Sequence, residues 1–182
     1  LLETQNGEYL VTGTNESGGP RELYLLKVGA DGGQLWSRTI GPGWKWGYSS
    51  IELPNGDLVT CGQRTTNGYT QVLLVYTNNL GSVIWEREFG DATLSEQGYS
   101  LKLDTDGGFT ITGESFDVIA QQTSILLLKV NMDGEQSYLK RFGSTTSRGM
   151  NLIKDANDDN LITGNYQDQI FLTRTDSDGT FK

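Results

Sequence analysis

Few of the side chains in this sequence are suited to covalent chemistry. There is no histidine and a single cysteine, Cys61, which removes Ser-His-Asp and Cys-His nucleophiles, His-ligated metals and Cys-rich zinc sites. Carboxylates are plentiful, so an acid/base pair of the kind that hydrolyses glycosidic bonds has raw material. No one pair stands out from the rest. The most unusual segment is Gly41-Pro42-Gly43-Trp44-Lys45-Trp46-Gly47-Tyr48. The segment lies between one repeat and the next, where a loop is expected. Three aromatics in five residues make Trp44, Trp46 and Tyr48 the candidates for stacking on a sugar ring or capping a channel. Packing between repeats, with Tyr48 matching Tyr99, is the expected reading, and the ligand role is the alternative. A second candidate is Asp155-Ala156-Asn157-Asp158-Asp159. The oxygens of Asp155, Asn157 and Asp159 alternate as in the opening of a calcium loop, but Asn160 stands where such a loop has glycine and no closing Glu follows. Turn geometry explains the same residues without a cation, and it is the expected reading. No cofactor is otherwise implied.

The elements that hold these residues come from an internal repeat. Gly13, Gly62, Gly113 and Gly164 recur at a spacing of about fifty residues. Each closes a short apolar run, such as Leu58-Val59-Thr60-Cys61 or Phe109-Thr110-Ile111-Thr112, and each run follows a tight-turn signal, such as Asn55-Gly56 or Asp106-Gly107. A second apolar column follows (Leu23–Leu26, Val72–Val75, Ile125–Leu128, Ile170–Leu172), then another turn at Asp31-Gly32, Leu80-Gly81, Asp133-Gly134 and Asp178-Gly179. After it come Trp36–Gly41, Trp85–Gly90 and Tyr138–Gly143, alternating strands with aromatic, cationic and apolar side chains on one face. Gly-Tyr-Ser at 47–49 and 98–100, and Gly-Met-Asn at 149–151, mark the first strand of a unit. No helical period appears.

The predicted fold class is therefore all-β, a β-propeller of four-stranded antiparallel blades with four repeats visible and the last incomplete. It forms one domain over 1–182, with repeat units at 1–46, 47–97, 98–148 and 149–182. The sequence stops one residue before a fourth aromatic would stand. The expected reading is a piece of a larger ring, with a closed four-bladed ring as the alternative. Cys61 shares a column with Thr12, Thr112 and Thr163, which predicts an inert, core-facing thiol. The column of Arg38, Arg87 and Lys140 is expected to be a solvated outer face rather than an anion site. The Trp44–Trp46 pair has no counterpart in the equivalent segments 91–97 and 144–148.

Charge narrows the partners. Fourteen basic residues face 23 acidic ones, for a net of −9, which disfavours nucleic acid and anionic membrane surfaces. No run of apolar residues is long enough for a transmembrane helix. The first residues, Leu1-Leu2, are expected to belong to a mature product or fragment, so targeting is not readable.

The pattern at 106–143, Asp-Gly-Gly-Phe-Thr-Ile-Thr-Gly followed by Leu-Leu-Leu-Lys-Val, Asp-Gly, and Tyr-x-Lys-Arg-Phe-Gly, resembles the β-propeller repeats of bacterial secreted and surface proteins. It is more distantly similar to quinoprotein-type propellers. The resemblance implies an extracellular or cell-surface location, with the Gly-Tyr-Ser strand innermost and the Trp-containing strand outermost. It also implies a non-catalytic binding or scaffold module for a protein or glycan. The alternative from another class is a propeller enzyme or subunit acting on polysaccharide or with a quinone cofactor. Association through the incomplete fourth blade is a further expectation.

Overall fold

The computed structural model describes residues 1–182 except Gly18, Ser144, Thr145 and Asp168. Two of the four, Ser144 and Thr145, fall in the 144–148 segment compared above with Trp44–Trp46. Among the described residues there are fifteen strands and no helix.

The strands form four antiparallel sheets in chain order. The first contains β1 (Leu2–Glu3), β2 (Tyr9–Asn15), β3 (Glu22–Val28) and β4 (Gln34–Ile40). The second contains β5 (Trp44–Glu52), β6 (Leu58–Thr66), β7 (Tyr69–Thr77) and β8 (Val83–Phe89). The third contains β9 (Leu94–Leu103), β10 (Phe109–Asp117), β11 (Gln122–Val130) and β12 (Gln136–Phe142). The fourth contains β13 (Ser147–Lys154), β14 (Asn160–Tyr166) and β15 (Gln169–Thr175). An isolated bridge, Thr175 with Phe181, begins a fourth strand there, in the register that Val28–Gln34 and Thr77–Val83 hold in earlier sheets.

The repeat thus folds as sheets of propeller-blade type, and the first strands of neighbouring sheets pack against one another: β1 on β5, β5 on β9, β9 on β13. One difference from the sequence reading concerns Trp44–Trp46. The Gly-Pro-Gly sequence before them reads as a loop, but the strand already begins at Trp44. Alternating aromatics suit a pleated strand, and this alternation decides the local structure.

Each sheet has a leading face toward its predecessor and a trailing face toward its successor. Three buried apolar clusters fill the three junctions. Leu10, Leu23 and Leu25 of the first sheet meet Leu58, Leu73 and Val75 of the second. Val59, Cys61, Val72 and Leu74 of the second meet Phe109, Ile111, Leu126 and Leu128 of the third. Ile125 and Leu127 of the third meet Leu152 and Ile162 of the fourth. Burial on both faces is why the central strands lose polar alternation.

Two devices recur at the junctions. A Cβ on Gly47 would lie 2.7 Å from Thr12 Cγ2 and 3.1 Å from Leu23 of the previous sheet, and one on Gly98 would lie 3.0 Å from Val72 Cγ1. β5, β9 and β13 therefore each sit flat on the preceding sheet at a glycine, Gly47, Gly98 and Gly149. At the outer edge, Arg38 lies over Trp36, Arg87 over Trp85 and Lys140 over Tyr138, with ring distances of 5.6, 5.9 and 5.1 Å. The turn glycine of the next sheet rests against each pair: Gly81 on Trp36 and Arg38, Gly134 on Trp85 and Arg87, Gly179 on Tyr138 and Lys140. The cationic column is thus half of an inter-sheet contact rather than a purely solvated face.

Candidate functional site

The inner strands carry the site, and a β-bulge shapes it. Gly47 pairs with Gly62 and Ser49 with Cys61, so Tyr48 is the extra residue. Tyr99 is extra between Gly98 and Ser100, and Met150 between Gly149 and Asn151. A bulged residue has no cross-strand partner, and its side chain is re-aimed out of the alternation. Three successive blades place this bulge at the same column, which brings Tyr48 and Tyr99 together although they belong to different sheets. Their rings meet edge to face at 5.4 Å between centroids and 66°.

A polar chain threads this aromatic pair. The Tyr48 hydroxyl donates to Gln63 Oε1 at 2.7 Å, and the Tyr99 hydroxyl to Gln97 Oε1 at 3.2 Å. Gln97 Nε2 donates to Glu114 Oε1 at 3.1 Å, and the other Glu114 oxygen is paired with Arg148 Nε at 2.6 Å. Burial is the main reason that the pKa of Tyr48 is raised, and the charge of Glu114 adds to it. Tyr99 is raised further for the same two reasons in the same order. Both phenols are thus neutral hydrogen-bonding groups at any physiological pH, not general bases.

Trp44 and Trp46 adjoin this pair through Gln63, the cross-strand partner of Trp46 and the acceptor of the Tyr48 hydroxyl. Two residues apart on β5, they share a face, and their rings stack at 6.2 Å with 26° between planes. Trp44 is 49% exposed, and Arg21 of the first sheet lies over the Trp46 ring at 5.4 Å. The strand beneath is anchored by charge. Lys45, which points the other way, is 2% exposed and reaches Glu86 Oε2 at 2.7 Å. In the third sheet the same position is Glu96, fully buried and held by Arg141 at 2.7 and 3.0 Å. A buried ion is stable only when paired in this way.

The chain matches no family model and no curated protein. The arrangement of side chains therefore carries the functional argument by itself. Of the sequence candidates, Trp44, Trp46 and Tyr48 lie on one strand, and the structure joins them to residues that composition did not single out: Arg21, Gln63, Gln97, Tyr99, Glu114 and Arg148. The repeated Gly-Tyr-Ser was the available signal for Tyr99.

Asp155, Asn157 and Asp159 occupy the turn between β13 and β14. One Asp155 oxygen accepts the backbone N–H groups of Asn157 and Asp159, at 2.8 and 3.1 Å. The other is bound to Arg174 at 2.5 Å, and Asp159 is bound to Arg174 and Lys182, both at 2.7 Å. These contacts, first the Asn157 N–H, hold the Asp155 carboxyl below its ordinary range. Two cations and a set of turn amides already engage these oxygens. Among the described residues, no group of three or more acidic, His or Cys side chains gathers in a form that would hold a metal. Cys61 is fully buried, with its thiol directed to the Gly98 carbonyl at 3.4 Å, and burial pushes its pKa up to about 12.

Proposed function

We propose that this chain is a non-catalytic glycan-binding module of β-propeller type, working outside the cell or at its surface. The observation that carries this reading is two aromatic pairs, Trp44–Trp46 and Tyr48–Tyr99, linked through Gln63, which lies across the strand from Trp46 and accepts from the Tyr48 hydroxyl, with Gln97, Glu114 and Arg148 beside Tyr99. A pyranose ring offers an apolar face of C–H groups and a rim of vicinal hydroxyls. Indole and phenol ring faces match the apolar face. Planar amide, carboxylate and guanidinium groups match the hydroxyls with paired donors and acceptors. Trp44 and Tyr48 are 49% and 40% exposed, and solvent-facing rings of this kind suit a polymer more than a small metabolite. The acidic net charge suits a neutral or basic chain over a polyanion.

Calorimetry against a panel of neutral and amino-sugar oligosaccharides tests this. Binding is expected, and a Trp44→Ala, Trp46→Ala double variant is expected to lose about tenfold or more in affinity while keeping the far-UV circular dichroism of the unaltered chain, since neither ring belongs to a buried core cluster. No binding by the unaltered chain at millimolar ligand would overturn the reading. Turnover of a polysaccharide in the same panel would replace it with an enzymatic one.

A further inference from the structure

We propose that a cleft between the first and second sheets binds a neutral pyranose ring, at the end of the sheets opposite the tryptophans. The cleft has a volume of about 520 Å³, within the range of small-ligand sites. Its walls are β3, β4 and three hairpin turns: β1 to β2, β5 to β6 and β7 to β8. Each of these elements belongs to strands paired within the two sheets. The run of β5 from Trp44 to Glu52 separates the cleft from the aromatic pairs by about 25 Å. This site therefore does not rest on the reading above.

The other two junctions fill or bridge the same place. In register, Lys27, Trp36 and Glu52 of the first junction correspond to Tyr76, Trp85 and Leu103 of the second. They correspond to Lys129, Tyr138 and Lys154 of the third. At the second junction the three residues pack on the apolar core, with Tyr76 edge to face on Trp85 at 5.6 Å. At the third, Lys154 reaches across to Asp104 at 2.6 Å, and the Tyr138 hydroxyl donates to the Ser177 carbonyl at 3.1 Å. The first junction does neither. Lys27 turns to Glu8 of its own sheet at 2.6 Å, and Glu52 accepts the Gln5 N–H at 2.6 Å. Among the described residues no ion pair joins Lys27 to Glu52, although both line the cleft.

The two sides of the cleft are pinned. On the inner side Gln5 Nε2 donates to the Leu53 carbonyl at 2.9 Å, and on the outer side Gly81 rests against Trp36 and Arg38. A ligand thus meets a preformed site, which lowers the cost of ordering it. Lys27 has three N–H donors and one carboxylate partner, with its side chain only 10% exposed. Glu52 Oε1 and the side-chain amides of Asn6 and Asn79 make no hydrogen bond among the described residues. Donors and acceptors are therefore interleaved, as sugar hydroxyls require, since each hydroxyl both donates and accepts. Trp36 supplies apolar surface for the C–H face of the ring. One cation against two carboxylates gives no positive excess for an anion. Arg38 already lies over the Trp36 ring at 5.6 Å, the position that a cationic ligand would take.

Amide NMR titration with methyl glycosides of neutral hexoses and N-acetylhexosamines tests this. Saturable shifts with a millimolar Kd are expected at residues 5–8, 53–56 and 79–81. The Trp44→Ala, Trp46→Ala double variant is expected to keep them. Lys27→Tyr puts into the first sheet the residue that the second sheet carries in this column, and it is expected to abolish them. Asn79→Ala, at an exposed position, is expected to weaken binding about threefold to tenfold. No shift at these residues with any of the glycosides, or shifts confined to the neighbourhood of Trp44 and Tyr99, would overturn the proposal. So would cleft shifts that survive Lys27→Tyr in a folded chain. Should Lys27→Tyr not fold, Asn79→Ala decides alone, and an affinity equal to that of the unaltered chain would refute the site.

Discussion

At the scale of single residues, the same glycine column does different work in different blades. Gly62, Gly113 and Gly164 stand opposite the bulge, and a Cβ on any of them would run into a backbone carbonyl of the inner strand: Trp46, Gln97 or Arg148. In the first sheet the inner strand is only Leu2–Glu3, so a Cβ on Gly13 meets nothing within 4 Å among the described residues. Gly113→Ala is therefore expected to cost about 3 kcal/mol, at the upper end of overpacking effects, because rigid backbone is what it strikes. Gly13→Ala is expected to be neutral or slightly stabilising. Urea midpoints of the two variants measure the difference, and equal costs would mean that the column matters for strand conformation and not for the bulge. The site was legible at this scale in proportion to how odd its residues look. Trp44, Trp46 and Tyr48 stand out in any reading. Gln97, Glu114 and Arg148 are ordinary polar residues on three different strands, and only the folded register around the bulge at Tyr99 brings them together. A slip of one residue leaves no mark on sequence beyond the glycine that permits it.

At the scale of elements, the hairpins are held by charge as well as by turn geometry. In the third sheet Lys129 Nζ lies 2.8 Å from Asp106 and 3.7 Å from the buried Asp104, and Lys154 of the fourth sheet reaches Asp104 at 2.6 Å. The hydrogen bond from Lys129, followed by the Gly108 N–H, lowers the pKa of Asp106. A lowered carboxylate stabilises the fold above its unfolded-state value, about 3.9, and this contribution is lost as pH falls through the folded value beneath it. Thermal melts of the unaltered chain should therefore fall steeply below about pH 4. An Asp106→Asn variant should start lower near neutrality and show a shallower acid limb. If the two acid limbs are parallel, the Lys129 pair contributes nothing measurable. The hairpins were readable in advance because Asn-Gly and Asp-Gly dictate backbone geometry locally. The outer-strand column was harder. Arg38, Arg87 and Lys140 look solvated in sequence because the glycine that rests on each lies one whole repeat away.

At the scale of the molecule, the sheets form a row whose main contacts run between neighbours, so stability is close to a sum of sheet and junction terms. The junctions are unequal. The cluster between the second and third sheets is the largest, with Tyr76, Trp85, Leu103 and Leu139 packed against it, and that between the third and fourth is the smallest. Among the described residues the fourth sheet also has one fewer strand, and the outer edge of β15 is paired at its C-terminal end alone, by the Thr175–Phe181 bridge and the Lys182 N–H to the Arg174 carbonyl. Native-state hydrogen exchange should follow this gradient. Amides in β6, β7, β10 and β11 are expected to exchange last, by global unfolding. Those pairing β14 with β15 should exchange first, through opening of the fourth sheet alone. Uniform exchange across all four sheets would mean that the junctions are strong enough to fuse them into one cooperative unit, and the sum of local terms would no longer describe the fold.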